Sequence, residues 1–377
     1  MLRLAIAAFW ALPRASVLSE MYLEQSESAR RVGARVAGGG LALLCAAACL
    51  VPASSPAQTP AGLQGAPPAA TVVVPERDWE RLSIPGWELR QLERVHRGDG
   101  YEAFHIAYTL GSTYATNRVH LTGFLARPYI RDERTKYPAI LLNHGGLQGV
   151  SAPYRAVALE LARRGYVVLA SSYRGQQGPE GRSQGLVEYA KGEVLDVLQL
   201  AELARSQRYI DTMRMGIVGY DHGAAITIQA IGRSNIFKAA VAISPLLFSG
   251  MPEYGYAGMR LLQQMSPQLF GRELSEYQLR RELLRRDTFR FLPRIGAPLL
   301  LIGSDQDPAH EDQLRFVSNL QSRGIEHRYL RFPGMPTDFM FSYDDGARPP
   351  RWGESRDEAW RAVFSFLEER VPVVVSE

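Results

Sequence analysis

Five short, unbroken apolar runs constrain this chain most: Ala139-Ile140-Leu141-Leu142, Tyr166-Val167-Val168-Leu169, Met215-Gly216-Ile217-Val218, Ala239-Ala240-Val241-Ala242-Ile243 and Pro298-Leu299-Leu300-Leu301-Ile302. A strand with one wet face alternates, so runs like these suit strands buried on both faces. The segments between them carry helical period. Val194, Val197, Leu198, Ala201 and Ala204 fall at helical spacing with Glu193, Gln199, Glu202 and Arg205 mostly opposite, so one face of this helix covers the sheet. The pattern predicts a parallel sheet wrapped by helices. Ahead of it, Tyr101 to Leu110 and Val119 to Pro128, separated by Gly111-Ser112-Thr113, predict an antiparallel pair that opens the sheet. A helix around Gln313 to Ser322, a strand at His327 to Phe332 and an amphipathic helix from Glu354 to Arg370 close the chain. Between Pro245 and Pro293 the strand rhythm stops, and a Leu-, Arg- and Gln-rich helical segment holds Met251, Tyr254, Tyr256, Met259 and Phe270. Two readings of it stay open: a cap on the carboxyl edge of the sheet, or an exposed insertion.

The N-terminal part reads differently. Arg30, Arg31 and Arg35 precede an apolar stretch from Val36 to Val51 that gives way to Pro52-Ala53-Ser54-Ser55-Pro56-Ala57, the order of a signal peptide. Interrupted by Gly38, Gly39 and Gly40, the stretch is short for a membrane span, and an uncleaved anchor is the alternative. Met21 is a candidate start that would shorten the prelude. Residues 1–57 are thus assigned to a leader, 58–77 to a Pro- and Ala-rich tether and 78–371 to a single domain. Export to the periplasm or medium, or tethering to a membrane, is the expectation. Both cysteines, Cys45 and Cys49, lie in the leader, so the domain has no disulfide and relies on core packing. Lipidation at Cys49 is disfavoured by Ala46 three residues earlier. With 46% hydrophobic and 22% charged residues the chain can bury a substantial core, and its net charge of +4 comes from scattered arginines rather than a basic stripe, which excludes nucleic acid as the expected partner.

The strand at Met215 to Val218 runs into Gly219-Tyr220-Asp221-His222-Gly223-Ala224-Ala225 and then a helix. A nucleophile elbow needs small residues on either side of its crest, because a sharp strand-to-helix turn lifts the central side chain under backbone strain. Gly219 and Gly223 supply them, and the crest is Asp221. The wider pattern includes Asn143-His144-Gly145-Gly146, Ser172-Tyr173-Arg174-Gly175, Glu193 to Val197, this elbow, and Phe237-Lys238-Ala239-Ala240-Val241 leading to Ser244-Pro245. In that order it resembles the hydrolase domain of the prolyl oligopeptidase family, from Tyr137 to the C-terminus, and is similar also to dienelactone-hydrolase-type proteins. The expectation is a stand-alone hydrolase domain, without the β-propeller many members carry upstream. The resemblance implies an α/β-hydrolase fold, a mostly parallel sheet with helices on both faces and a helical insertion before the next-to-last strand.

It also implies positions for a triad. The acid is expected in Gly303-Ser304-Asp305-Gln306-Asp307-Pro308, and Asp307, before proline, fits better than Asp305, which reads as a turn residue. The base is expected in Phe332-Pro333-Gly334-Met335-Pro336-Thr337-Asp338-Phe339, where Thr337 stands in place of histidine, as Asp221 stands in place of serine. Oxyanion donors are expected from the backbone of His222 and of Gly145 or Gly146, with Asp221 itself a candidate acceptor. The elbow resembles equally that of epoxide hydrolases and haloalkane dehalogenases, whose carboxylates attack sp³ carbon but rely on a histidine to release the ester. His310 is read as a helix-start residue, His144 as structural, His222 as packing or lining the pocket, and Arg174 as a salt-bridge partner. His96, His105, His120 and His327 show no metal-ligand spacing, so neither metal nor cofactor is expected. The leading expectation is a pseudo-hydrolase that keeps scaffold and pocket for a small molecule or peptide. The alternatives are a hydrolase of esters, epoxides or haloalkanes using Asp221 with a relocated histidine, and an envelope scaffold holding a partner on residues 245–293.

Overall fold

The computed structural model describes residues 89–110, 119–130, 132, 134–251, 253–341 and 350–373, all within one compact unit. The expected leader, its tether and the domain boundary at 78 lie outside the described residues. Nine strands form one sheet: β1 (Leu89–Gly98), β2 (Tyr101–Leu110), β3 (Val119–Pro128), β4 (Tyr137–Asn143), β5 (Val167–Ser171), β8 (Ile210–Tyr220), β9 (Ala239–Ile243), β10 (Leu299–Ser304) and β11 (His327–Phe332). Between β5 and β8 a two-stranded ribbon, β6 (Gln177–Gly178) and β7 (Gly181–Arg182), stands apart. The sheet order is β1-β2-β3-β5-β4-β8-β9-β10-β11. Pairings β1 to β2, β2 to β3 and β3 to β5 are antiparallel and the rest parallel.

The unbroken apolar runs are sandwiched as expected, with alternate residues feeding two cores. Ala139, Leu141, Leu299 and Leu301 face one core, and Ile140, Leu142, Leu300 and Ile302 the other. The first core is covered by α2 (Glu193–Arg205), α3 (His222–Arg233) and α6 (His310–Ser322). The second is covered by α1 (Ala152–Arg163) and α7 (Pro350–Arg370), through Ala158, Leu161, Val363 and Leu367. From β4 the chain crosses to β5 on one side and then to β8 on the other. This reversal puts a topological switch point at the carboxyl ends of β4 and β8, the usual place for a ligand in such sheets.

Three expectations need correction. The sheet opens with β1, not with the pair Tyr101 to Leu110 and Val119 to Pro128. The segment LRQLERVHRG is an edge strand whose pairing is broken at two points, and its charges hid it. Glu193 does not lie on the wet face of α2. It is fully buried, and its carboxylate accepts the N–H groups of Glu188 and Tyr189 at 2.7 Å and of Lys191 at 3.1 Å. Finally, the insertion is not an exposed excursion. Its helices α4 (Tyr256–Phe270) and α5 (Glu276–Arg286) bury Leu262, Leu279 and Leu283 in the first core. Asp312 on α6 accepts the N–H groups of Gly255 and Ala257 at the start of α4.

Glu193 holds a loop that has two consecutive left-handed residues, Tyr189 (φ 55°) and Ala190 (φ 62°). From the other side the buried guanidinium of Arg286 on α5 donates to the carbonyls of Glu188 and Tyr189. Removing a buried carboxylate that answers three N–H groups leaves all three unmade, so Glu193→Ala is expected to cost about 3 kcal/mol or more. Exposed Glu202→Ala on the same helix should stay within about 0.5 kcal/mol. Urea unfolding midpoints of the two variants check this.

Candidate active site

The turn between β8 and α3 has the geometry of an elbow. Asp221 sits at φ 55° and ψ −123°, a strained conformation for a residue with a side chain. The glycines around it are required. A Cβ on Gly219 would lie 2.3 Å from the Gly223 carbonyl oxygen, and one on Gly223 would lie 2.4 Å from the His144 oxygen and 2.5 Å from that of Asn143. The Asp221 N–H donates to Ile243, and its carbonyl accepts from Ala224, Ala225 and Leu246. Bonds to β9, to the first turn of α3 and to the segment after β9 therefore hold the crest. The Asp221 side chain caps no backbone N–H of α3 and keeps 27% exposure.

The other expected positions gather at the same edge. Asp307, after β10, is buried, with one oxygen accepting the Ala309 N–H at 2.8 Å and the other the Gln313 amide at 3.0 Å. Gln313 also donates to the Pro245 carbonyl at 3.5 Å, which links Asp307 to the segment beside the elbow. Burial raises the Asp307 carboxyl above the ordinary carboxylate range, and the charge of Asp221 adds to the rise. Asp305 does something else: it accepts the Gly334 N–H at 2.6 Å and pairs with Arg331, pinning the loop after β10 to the loop after β11. Thr337 is half-buried and held by its backbone, its carbonyl accepting the Ser244 hydroxyl at 3.0 Å.

Of the expected oxyanion donors, the His222 N–H stands in the first turn of α3, where no intrahelical acceptor exists. The Gly145 N–H is engaged by the Tyr154 hydroxyl at 2.9 Å, and Gly146 is exposed at φ 69°. Asp221 takes no bond from either glycine.

The imidazoles separate clearly. His144 is fully buried, stacked on Tyr173 with ring centroids 4.1 Å apart, and its Nδ1 meets the Gly145 carbonyl at 3.0 Å. Burial, with the nearby His222 adding, lowers its pKa to about 3. His310 begins α6 and donates its N–H to the Asp307 carbonyl. His222 is fully buried and stacked on Tyr189, with centroids 4.5 Å apart. Its Nδ1 lies 3.7 Å from the Asp221 carboxylate, longer than a hydrogen bond, and neither ring nitrogen has a hydrogen-bond partner. Arg174 is structural: it forks onto buried Asp196 and reaches Glu188 at 3.0 Å. Among the described residues no group of three or more His, Cys, Asp or Glu could hold a metal ion.

Sequence reasoning missed the aromatic wall. Tyr154, Tyr220 and Phe341 pack together, with centroids 4.9 Å apart for Tyr154 and Phe341 and 4.5 Å for Tyr220 and Phe341. Tyr154 hydroxyl, Tyr220 Cδ1 and Asp221 Cβ all come within 3.1 Å of the point where a Cβ on Gly145 would sit. Burial raises the phenol pKa values of Tyr154, Tyr189 and Tyr220, and the charge of Asp221 raises each further. Only Tyr220, beside the crest, carried a local signal.

His144 yields a pH prediction. Its folded pKa is depressed, so the unfolded chain takes up a proton that the folded one refuses. Stability should be complete above about pH 6.5 and fall towards pH 3, by about 1.4 kcal/mol per unit from this group. Urea titrations across that range should lose this slope in His144→Phe.

The prolyl oligopeptidase family model matches residues 154–335. The uncharacterized peptidase YuxL of Bacillus subtilis (strain 168) is 28% identical over 288 residues, 70% of this chain and 40% of that protein. Dipeptidyl peptidase 8 of Mus musculus is 31% identical over 165 residues, 41% of this chain and 18% of that one. The chain thus spans well under half the length of these relatives. Among solved structures, the acylaminoacyl peptidase of Pyrococcus horikoshii superposes with a TM-score of 0.55 at 21% identity, covering 74% of this chain and 43% of the other. Acetyl xylan esterase 1 of Thermoanaerobacterium sp. JW/SL YS485 gives 0.54 at 17% identity, covering 78% and 93%. Fold, elbow and sequence agree: the chain has an α/β-hydrolase fold, and its residues 154–335 match the prolyl oligopeptidase family model.

Proposed function

We propose that this chain is an exported pseudo-hydrolase, a scaffold that keeps the hydrolase crevice and binds a small molecule or peptide there without acyl transfer. One observation carries the reading: the crest of the elbow is the carboxylate of Asp221, and Thr337 stands in the loop where the base is expected. Acyl transfer needs a neutral hydroxyl whose proton passes to imidazole and on to the leaving group. Threonine does not relay protons near neutral pH. A carboxylate that attacks an amide carbonyl forms an adduct that expels the carboxylate again more readily than the amine. Loss of such groups lowers turnover by about 10⁴ to 10⁶. The engagement of Gly145 by Tyr154 supports the reading, since that donor is already answered within the protein. Export rests on the order of basic, apolar and small residues from Arg30 to Ala57.

The 3.7 Å contact between His222 and Asp221 favours a second reading, in which Asp221 attacks an epoxide or alkyl halide and His222 activates the water that releases the ester. Against it stands the complete burial of the His222 ring, which leaves no path for that water.

Fluorophosphonate should not label the wild-type protein, and ester turnover should stay at background and be unaffected by Asp221→Ala. Labelling of the double variant Asp221→Ser with Thr337→His is the expected gain. Turnover that Asp221→Ala abolishes, or ¹⁸O from water entering Asp221 during epoxide conversion, would sink the proposal. Export is checked separately by the N-terminus of the mature protein, expected to lie beyond the apolar stretch that ends at Val51.

A further inference from the structure

A hydrolase crevice is built to receive an oxyanion, and this one carries its own anion at the receiving point. Among the described residues Asp221 has no ion pair with Arg or Lys, and its carboxylate lies 3.7 Å from Nδ1 of the buried His222 ring. That ring is an unanswered polar group: fully buried, with both nitrogens lacking hydrogen-bond partners and Nδ1 directed at the same carboxylate. Carboxylates collect around the site. Tyr220 feels the charges of Asp221, Asp338 and Asp307 together. An anionic ligand would meet like charge there, and the N-terminus of α3, which would otherwise favour an anion, already has one at its cap position.

The remaining wall is aromatic. Tyr220 and the Tyr154 hydroxyl converge with Asp221 on Gly145, Phe341 packs on both rings, and Tyr189 stands on the far side against His222. A carboxylate beside aromatic rings attracts a large, weakly hydrated cation through charge and through the electron-rich ring faces. We infer that the elbow site binds an ammonium group bearing alkyl substituents, with its charge against Asp221 and its alkyl groups against the half-buried ring of Tyr220. A metal cation fits less well, since the described residues present no group of three or more metal-ligating side chains. The inference rests on the reading of the site as one that binds without acyl transfer, and names its ligand class.

Calorimetric titration of the full chain with choline, with its neutral isostere 3,3-dimethylbutan-1-ol and with acetate tests it. Choline should bind at least about tenfold more tightly than the isostere, and acetate should not bind. Asp221→Asn and Tyr220→Leu should each weaken choline by about tenfold, while exposed Glu202→Gln leaves it unchanged. Circular dichroism verifies that the variants fold, and the comparison of choline with its isostere needs no variant. Equal affinity for the two, no saturation by choline up to about 10 mM, or full affinity in folded Asp221→Asn would overturn the inference. Ester turnover dependent on Asp221 would instead overturn the pseudo-hydrolase reading, whatever choline does. Absence of both binding and turnover removes this inference alone.

Discussion

At Gly223 the first turn of α3 presses on the carbonyls of Asn143 and His144, and no side chain fits between them. That backbone contact fixes the distance between the elbow and the loop after β4. With it come the left-handed crest at Asp221, the approach of Gly145 to the Asp221 side chain and the stacking of buried rings below. The strain is sustained because hydrogen bonds from β9 and the segment after it over-determine the crest. The crest is thus held by backbone bonds and close backbone contacts rather than by the Asp221 side chain, which caps no N–H of α3.

How much of this was legible follows from the kind of signal each element carries. Strands buried on both faces announce themselves, and Ala239–Ile243 was read to its bounds; so was His327–Phe332, although it is a half-exposed edge strand. The elbow was legible because sterics demand Gly219 and Gly223 at a fixed spacing around one residue. β1 was not, because an edge strand needs no apolar face and its backbone is half satisfied by water. Glu193 was misread for a related reason: helical period reports which side faces the sheet, whereas its carboxylate serves backbone groups of the preceding loop. The aromatic wall drew Tyr154, Tyr220 and Phe341 from three distant elements, and no spacing rule joins residues that meet only through the tertiary fold.

His222 shows how one position can serve opposite arguments. Adjacent to Asp221 in sequence, it had to stand near the crest, but whether its ring faced the anion or the core depended on what packed beneath. The answer is both. The ring is sealed among Tyr189, Tyr173 and His144, while one nitrogen remains 3.7 Å from the carboxylate. It lies beside the anion and is sealed from solvent.

The Tyr189 to Ala190 turn has a mechanical consequence. Its two left-handed residues are held on one side by Glu193 and on the other by Arg286 at the end of α5, and the ring they position lies flat on His222. The outer surface of α5 leaves Tyr277 and Leu284 in solvent. One guanidinium at the end of that helix thus joins it to the loop whose tyrosine ring stacks beneath the elbow.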